Sequence, residues 1–392
     1  MTSPSTEHTH LGGEKPAQID WAAFRRQMPV AQRWAYMDHA AVAPLPEPAR
    51  AAVLRWVDDA STNGDAHWPD WSSQVDAVRT TAARMLGCGE EEIALVKSTT
   101  EGINFVAEGY PWKPGDNVVT LADEFPANQY PWMNLADRGV ETRRVPTERG
   151  QVDLDRLTAA MDERTRILTV SWVSFSSGWR NDVDRLARLA HDRGALLFLD
   201  AIQALGVFEL NVVKTPVDFL AADGHKWMLG PEGAGLFYLR REHLDQLRPL
   251  GVGWHSVVHA HDFTRIELDL RRDASRYEGG SQNMVGMIAL GESLKLLNSY
   301  GQAALSRRII EMTDLACRRL DEIGATIATD RQPGHESGIV VFELPGRDSH
   351  ELAKQCFNRD VILSCRSGRL RISLHAYNNE EDVGRLVDAL TS

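Results

Sequence analysis

Lys226 lies in the run AADGHKWMLGPEGAG, Ala221 to Gly235, between His225 and Trp227 and behind an apolar stretch. That setting suits a solvated surface lysine poorly. A lysine that attacks an aldehyde must be partly neutral, and burial lowers a lysine pKa. The glycines that follow let backbone approach a ligand closely. Asp200 closes the apolar run Ala195 to Leu199. In open α/β sheets ligands bind outside the carboxyl ends of the strands, and a carboxylate buried there is costly unless paired. Taken alone, Asp200 reads equally as a helix N-cap or an ion-pair partner. The third element is STTEG, Ser98 to Gly102, which directly follows a strand-like run. Hydroxyls and free backbone N–H groups at a helix start bind anions, although ordinary capping accounts for one hydroxyl. In this chain order, the three elements point to an anionic ligand held beside a reactive amine.

These residues need a scaffold, and the pattern predicts one. Ile93 to Val96, Asn117 to Leu121, Arg166 to Val173 and Ala195 to Leu199 read as strands. Helical patterns alternate with them, clearest in DVDRLARLAHDRG from Asp182, where Val183, Leu186, Leu189 and Ala190 share a face and Gly194 ends the run. The alternation implies a mostly parallel sheet covered by helices on both faces. After about residue 285 the rhythm changes. Two long helical stretches (Gly286 to Asn298, Gln302 to Ile323) precede a strand from Gly338 to Leu344 and a helix from Ser349 to Asn358. Strand-like runs Val361 to Ser364 and Leu370 to Leu374 and a last helix from Asn379 complete a smaller α+β unit. The expected division is a polar tail over 1–16, an N-terminal segment over 17–35 packing on the small unit, a large domain over 36–285 and a small one over 286–392.

The bulk composition narrows the function class. With 392 residues and 43% hydrophobic content the chain can bury a large core. A net charge of −12 argues against a nucleic-acid partner. No stretch approaches the length of a membrane span, and the N-terminus has no apolar run of the kind a signal peptide carries. Cys88, Cys317, Cys356 and Cys365 are scattered without a C-x-x-C pair, so they read neither as a disulfide framework nor as a metal site. A reducing cytoplasm is the expected compartment.

From Tyr36 onward the chain resembles the fold-type I enzymes of aminotransferase class V, which use pyridoxal 5′-phosphate (PLP) and include cysteine desulfurases, selenocysteine lyases, isopenicillin N epimerase and kynureninase. The resemblance is carried by YMDHAAVAPLP, STTEGINFVAEG, DEFPANQYPW, LFLDAIQALG, DGHKWMLGPEGAG, YEGGSQN and RISLHAYNNEEDV. It implies that Lys226 holds the cofactor as a Schiff base and moves the Cα proton, and that Asp200 pairs with the pyridinium nitrogen. It implies that Gln203 contacts the ring's phenolic oxygen and that Thr99, Thr100 and His225 hold the phosphate. Phe125 falls at the position that stacks on the ring. Ser281 matches a hydroxyl that reaches the phosphate of a neighbouring subunit, implying a homodimer with shared active sites. Arg371 matches the arginine that binds the substrate α-carboxylate as a bidentate fork, with Arg366 and Arg369 nearby as competitors. His67, in NGDAHWPDW, and His255, in GVGWHS, are further substrate-binding candidates beside tryptophans that pack as readily in a dimer.

The chain also departs from the desulfurases. Phe125 replaces their histidine and cannot transfer a proton. Cys365 falls where a catalytic cysteine would, but on a short segment read as a strand end, where a buried small hydrophobe needs no catalytic role. Phe175 replaces an asparagine common among relatives, and Asp223 stands where many carry a phosphate-binding serine. The leading expectation is a C–S (β-elimination) lyase acting on a small α-amino acid through an external aldimine and Cα deprotonation. The rivals are an aminotransferase, an amino-acid epimerase and a non-catalytic PLP-binding module.

Overall fold

The computed structural model describes residues 19–392; the tail expected over 1–16 lies outside them. Strand β1 (Ala35–Tyr36) comes first. Seven strands then form one sheet: β2 (Ile93–Val96), β3 (Asn117–Leu121), β4 (Glu141–Val145), β5 (Thr165–Ser171), β6 (Leu196–Asp200), β7 (Phe219–Asp223) and β8 (Gly235–Leu239). Their spatial order is β2-β8-β7-β6-β5-β3-β4. Strands β3 to β7 are parallel, and β8 runs antiparallel to both its neighbours. Helices α1 (Trp21–Arg26), α2 (Glu47–Asn63), α3 (Trp68–Leu86), α4 (Thr99–Gly109), α5 (Tyr130–Met133), α6 (Leu154–Ala160) and α7 (Val183–Asp192) precede or link these strands, and α8 (Met284–Tyr300) follows them.

The inner strands β6, β7 and β8 read as largely apolar runs because both faces of the sheet are covered there, whereas the edge strand β4 is polar and partly exposed. Val119, Leu168, Leu197, Leu220 and Leu236 enter one apolar layer, while their neighbours Val118, Ile167, Phe198, Phe219 and Phe237 enter the other. Side chains of a strand alternate in this way by geometry alone. Gly102 sets the depth of α4: a Cβ there would lie 2.7 Å from the Ala221 Cβ on β7. Its absence lets the start of α4 settle on the end of β7, where the Thr99 hydroxyl accepts from the Asp223 N–H at 2.9 Å.

The second unit contains α9 (Gln302–Glu322), β9 (Thr326–Ile327), β10 (Ile339–Glu343), α10 (Ser349–Phe357), β11 (Val361–Ile362), β12 (Ser364–Arg366), β13 (Arg369–Ser373) and α11 (Glu380–Thr391). Its antiparallel sheet has the order β12-β13-β10-β9. The single strand expected over Val361 to Ser364 is divided: β11 pairs in parallel with β1, and β12 joins the other sheet.

The N-terminal segment reaches this unit through the β1–β11 pair and the ion pairs Arg25–Asp382 and Arg33–Asp360. Phe24 and Met28 nevertheless belong to the apolar layer of the large sheet, so the segment sits at the junction. Helix α8 packs on α2 and α3, and its Ile288, Leu290, Leu294 and Leu297 join the same layer. We therefore propose that the unit boundary falls near Tyr300 rather than at 285. Among the described residues no helix is long and apolar enough to cross a membrane.

Candidate active site

A cleft of about 440 Å³ opens at the carboxyl ends of β6 and β7, lined among others by Thr99, Thr100, Phe125, Phe175, Asp200, Gln203, Asp223, His225, Lys226 and Arg371. Eight of the expected site residues thus converge: Thr99, Thr100, Phe125, Asp200, Gln203, His225, Lys226 and Arg371. A second hollow of about 420 Å³, lined by Trp254, Phe263, Ile266 and Leu268, contains none of them.

Lys226 is 8% exposed. Burial pulls its amine down to about 8, against the opposing charge of Asp200. At neutral pH a usable fraction is therefore unprotonated, the condition a nucleophile or base requires. Its Nζ lies 5.6 Å from the centre of the Phe125 ring, which meets Phe175 edge-to-face at 5.2 Å. Phe125 is 44% exposed, so a face remains open to a planar ligand. Asp200 is buried, and its carboxylate accepts one hydrogen bond among the described residues, from the Ile202 N–H at 3.1 Å. Burial pushes it up to about 6, with Lys226 pulling the other way. Such a carboxylate gains from a cationic partner.

The anion end of the cleft is built by α4. Ser98 caps the helix by accepting from the Glu101 N–H at 3.1 Å, so it performs the ordinary capping role. Thr99 is buried and braced against Asp223, while Thr100 is exposed. His225 Nδ1 is buried and lies 3.0 Å from Asp223 Oδ2, but the ring is not aligned to hydrogen-bond to it. That orphaned nitrogen, the under-partnered Asp200 and the open Phe125 face are the donor, acceptor and stacking set that PLP demands. Asp223 is the departure: a carboxylate at the phosphate end, accepting from the Gly224 N–H at 2.7 Å.

Gln203 is buried, with Nε2 donating to Ala40 O at 3.0 Å and Oε1 accepting from Trp227 Nε1 at 2.9 Å. Its second amide hydrogen remains for a ligand. Arg371 is 2% exposed. It donates to Phe175 O at 2.9 Å, Ser364 Oγ at 3.2 Å and Asp38 Oδ1 at 3.3 Å. Of its two competitors, Arg369 pairs with Glu343 and does not line the cleft, and Arg366 stands at the cleft wall.

Three expected residues lie elsewhere in this chain. His67 pairs with Asp59 at 2.7 Å in a groove between α2 and α3. His255 lies on the segment after Gly253, where its backbone carbonyl accepts from Arg271 Nε. Ser281 lines another groove, with Lys97 and Asn283. Cys365 is the central residue of β12 rather than a strand end, and it is half-buried rather than buried. Its neighbours Ser364 and Arg366 share the cleft face, so alternation turns Cys365 away. Burial also raises its thiol above the ordinary range.

The sequence reading assigned no role to Asp38, Ser364 or Glu124. Asp38 and Ser364 orient Arg371, and Asp38 sits within the quoted YMDHAA run, so a signal was present. Glu124, just before Phe125, is buried and accepts from the Ser171 N–H at 2.6 Å and from its hydroxyl. Ser171 is the register partner of Asp200, so Glu124 ties the Phe125 loop to the strand beside that acid.

The profile of the family Aminotransferase class-V matches residues 35–386. A probable cysteine desulfurase of Methanothermobacter thermautotrophicus is 31% identical over 93% of this chain and 96% of its own. A cysteine desulfurase of Cronobacter sakazakii is 30% identical over 92% and 93%. Among solved structures, the cysteine desulfurase CsdA of Escherichia coli superimposes with a TM-score of 0.85 at 25% identity, covering 95% of this chain and 98% of its own. The cystine C-S lyase C-DES, at 20% identity and a TM-score of 0.87 over 93% and 99%, shares the fold. The expected fold-type I architecture is borne out by these superpositions. The chain belongs to the aminotransferase class-V family and is a PLP-dependent enzyme.

Proposed function

We propose that the chain is a carbon–sulfur lyase that releases the β-sulfur group of a small α-amino acid. The observation that carries this reading is a buried, partly neutral Lys226 facing Asp200 and Arg371 in one cleft that no cysteine lines. Among the described residues no thiol is placed to accept sulfur, so sulfur departs with its substituent. The named relatives are cysteine desulfurases, which supports carbon–sulfur chemistry over transamination or epimerisation.

When bound, PLP supplies an electron sink for charge developing at the substrate Cα. Arg371 clamps the α-carboxylate, with Asp38 and Ser364 fixing its plane. Thr99, Thr100 and His225 would hold the phosphate of PLP, and Gln203 would contact its phenolic oxygen. Phe125 would stack on the cofactor ring. Lys226 takes the Cα proton. The Cβ–S bond then breaks, sulfur leaves with the electron pair as a thiolate, and water converts the remaining enamine into pyruvate and ammonia.

Two further assignments support the assembly we propose. Ser281 lines a groove that Lys226 does not line, and Phe263, Ile266 and Leu268 are exposed around a separate hollow; both features suit a homodimer in which Ser281 serves the partner's site. Four free cysteines suit a reducing, cytoplasmic setting.

The test is to supply PLP, add L-cysteine or its S-conjugates, and measure pyruvate. Lys226→Ala is expected to lower turnover about a thousandfold. Amino-form cofactor accumulating without pyruvate would instead establish transamination.

A further inference from the structure

The hairpin of β12 and β13 carries three arginines, and two of them have partners. Arg369 reaches Glu343 at 3.4 Å, and Arg371 is held by Asp38, Ser364 and the Phe175 carbonyl. Arg366 lines the cleft, is exposed, and has no hydrogen-bond or ion-pair partner among the described residues. Ser364 is the register partner of Arg371 and bonds to both Arg371 and Asp38. Alternation places Arg366 on the same face, two residues along the strand, about 7 Å away.

Arg366 acts electrostatically on both Arg371 and Asp38, so two guanidinium groups share one wall of the cleft. Like charges at that range repel. Asp38 is bonded to Arg371 and not to Arg366, which it reaches only through space. In a chain of net charge −12, a lone cation kept at a cleft wall marks where an anion docks. An α-carboxylate seated on Arg371 leaves Arg366 beyond the reach of cysteine's own short side chain. A substituent of a few atoms on the sulfur spans the remaining distance.

We propose that Arg366 is the specificity residue for an acidic group at the far end of the β-sulfur substituent, and that the preferred substrates are S-substituted cysteines ending in a carboxylate. This rests on the lyase reading above. Arg366 touches neither the breaking bond nor the cofactor, so it governs binding rather than the rate of cleavage.

The test titrates the cofactor absorbance of the holoenzyme with S-(2-carboxyethyl)-L-cysteine and its neutral counterpart S-(2-carbamoylethyl)-L-cysteine. In the wild type the acidic compound binds about fivefold tighter, the scale of an exposed ion pair. Arg366→Gln brings the ratio of the two Kd values to about one and leaves the carbamoyl Kd unchanged, while Arg366→Lys keeps part of the preference. Equal binding of both compounds by the wild type overturns the proposal. So does an equal loss for both in Arg366→Gln, which would make Arg366 a second arm of the α-carboxylate site. Pyruvate is scored separately: a preference lost in Arg366→Gln but without pyruvate release upholds the assignment of Arg366 and sinks the lyase reading.

Discussion

Asp200 and Asp218 are both almost fully buried, at opposite ends of neighbouring strands. Asp200 ends β6, and Asp218 immediately precedes β7. Asp218 is saturated by the protein itself. It accepts from Leu197 N–H and His191 Nε2 at 2.8 Å and His243 Nε2 at 2.9 Å, with Arg240 at 3.5 Å. Burial acts against its charge, but the hydrogen bonds from His243 and His191 outweigh it and hold the carboxyl below its usual range. Asp218, Glu242 and His243 lie close enough to offer metal ligands, yet both Asp218 oxygens already have protein donors. Asp200 has one backbone donor and is pushed up to about 6. Equal burial with unequal satisfaction separates a carboxylate that holds the fold from one kept for a ligand.

The largest effect should come from Asp200→Ala. Turnover is expected to fall at least about a hundredfold, the scale of losing a positioned electrostatic partner, while the cofactor-free variant is no less stable than the wild type. Asp218→Ala should do the reverse. Losing the carboxylate strands two histidines and an arginine, so urea unfolding should show a loss of about 3 kcal/mol, with turnover per folded molecule unchanged. If both variants lost stability equally, the distinction would fail.

The two acids also predict opposite pH slopes in the cofactor-free protein. The folded pKa of Asp200 is raised from 3.8 to about 6. Its contribution to stability is present below about pH 4 and lost as pH rises through about 6, amounting to about 3 kcal/mol. Asp218 is lowered from 3.8, so its contribution is present above that value and lost on acidification below it. Unfolding midpoints of the two alanine variants across pH 3 to 7 check both signs. The smallest effect belongs to Cys365→Ser, expected to keep turnover within about twofold because the thiol faces away from the cleft; a large loss would return sulfur acceptance to the enzyme.

The contrast also shows what a linear sequence exposes. Asp200 and Lys226 were legible because each sits at a strand end or a glycine-framed turn, signals written in adjacent residues. The alternating β-α rhythm was legible for the same reason. The partners of Asp218 are Leu197, His191, Arg240 and His243, assembled only when β6, β7 and β8 pair. The brace on Arg371 joins residues 38, 175 and 364, and no local pattern contains it. His67 and His255 illustrate the converse: neither lines the cleft of its own chain, and a histidine beside tryptophans reads alike at a pocket rim and in dimer packing. The boundary expected at 285 and the one proposed near Tyr300 differ by one helix, because a long helix after residue 285 reads alike whether it packs backward on α2 and α3, as α8 does, or forward on the small sheet.

The central claim is that Lys226 carries the cofactor. Borohydride reduction of the PLP-loaded protein followed by peptide mass mapping tests it directly. The account predicts a pyridoxyl group on the peptide containing Lys226 and none in Lys226→Ala. A label on another lysine, or no label in the wild type, would contradict it.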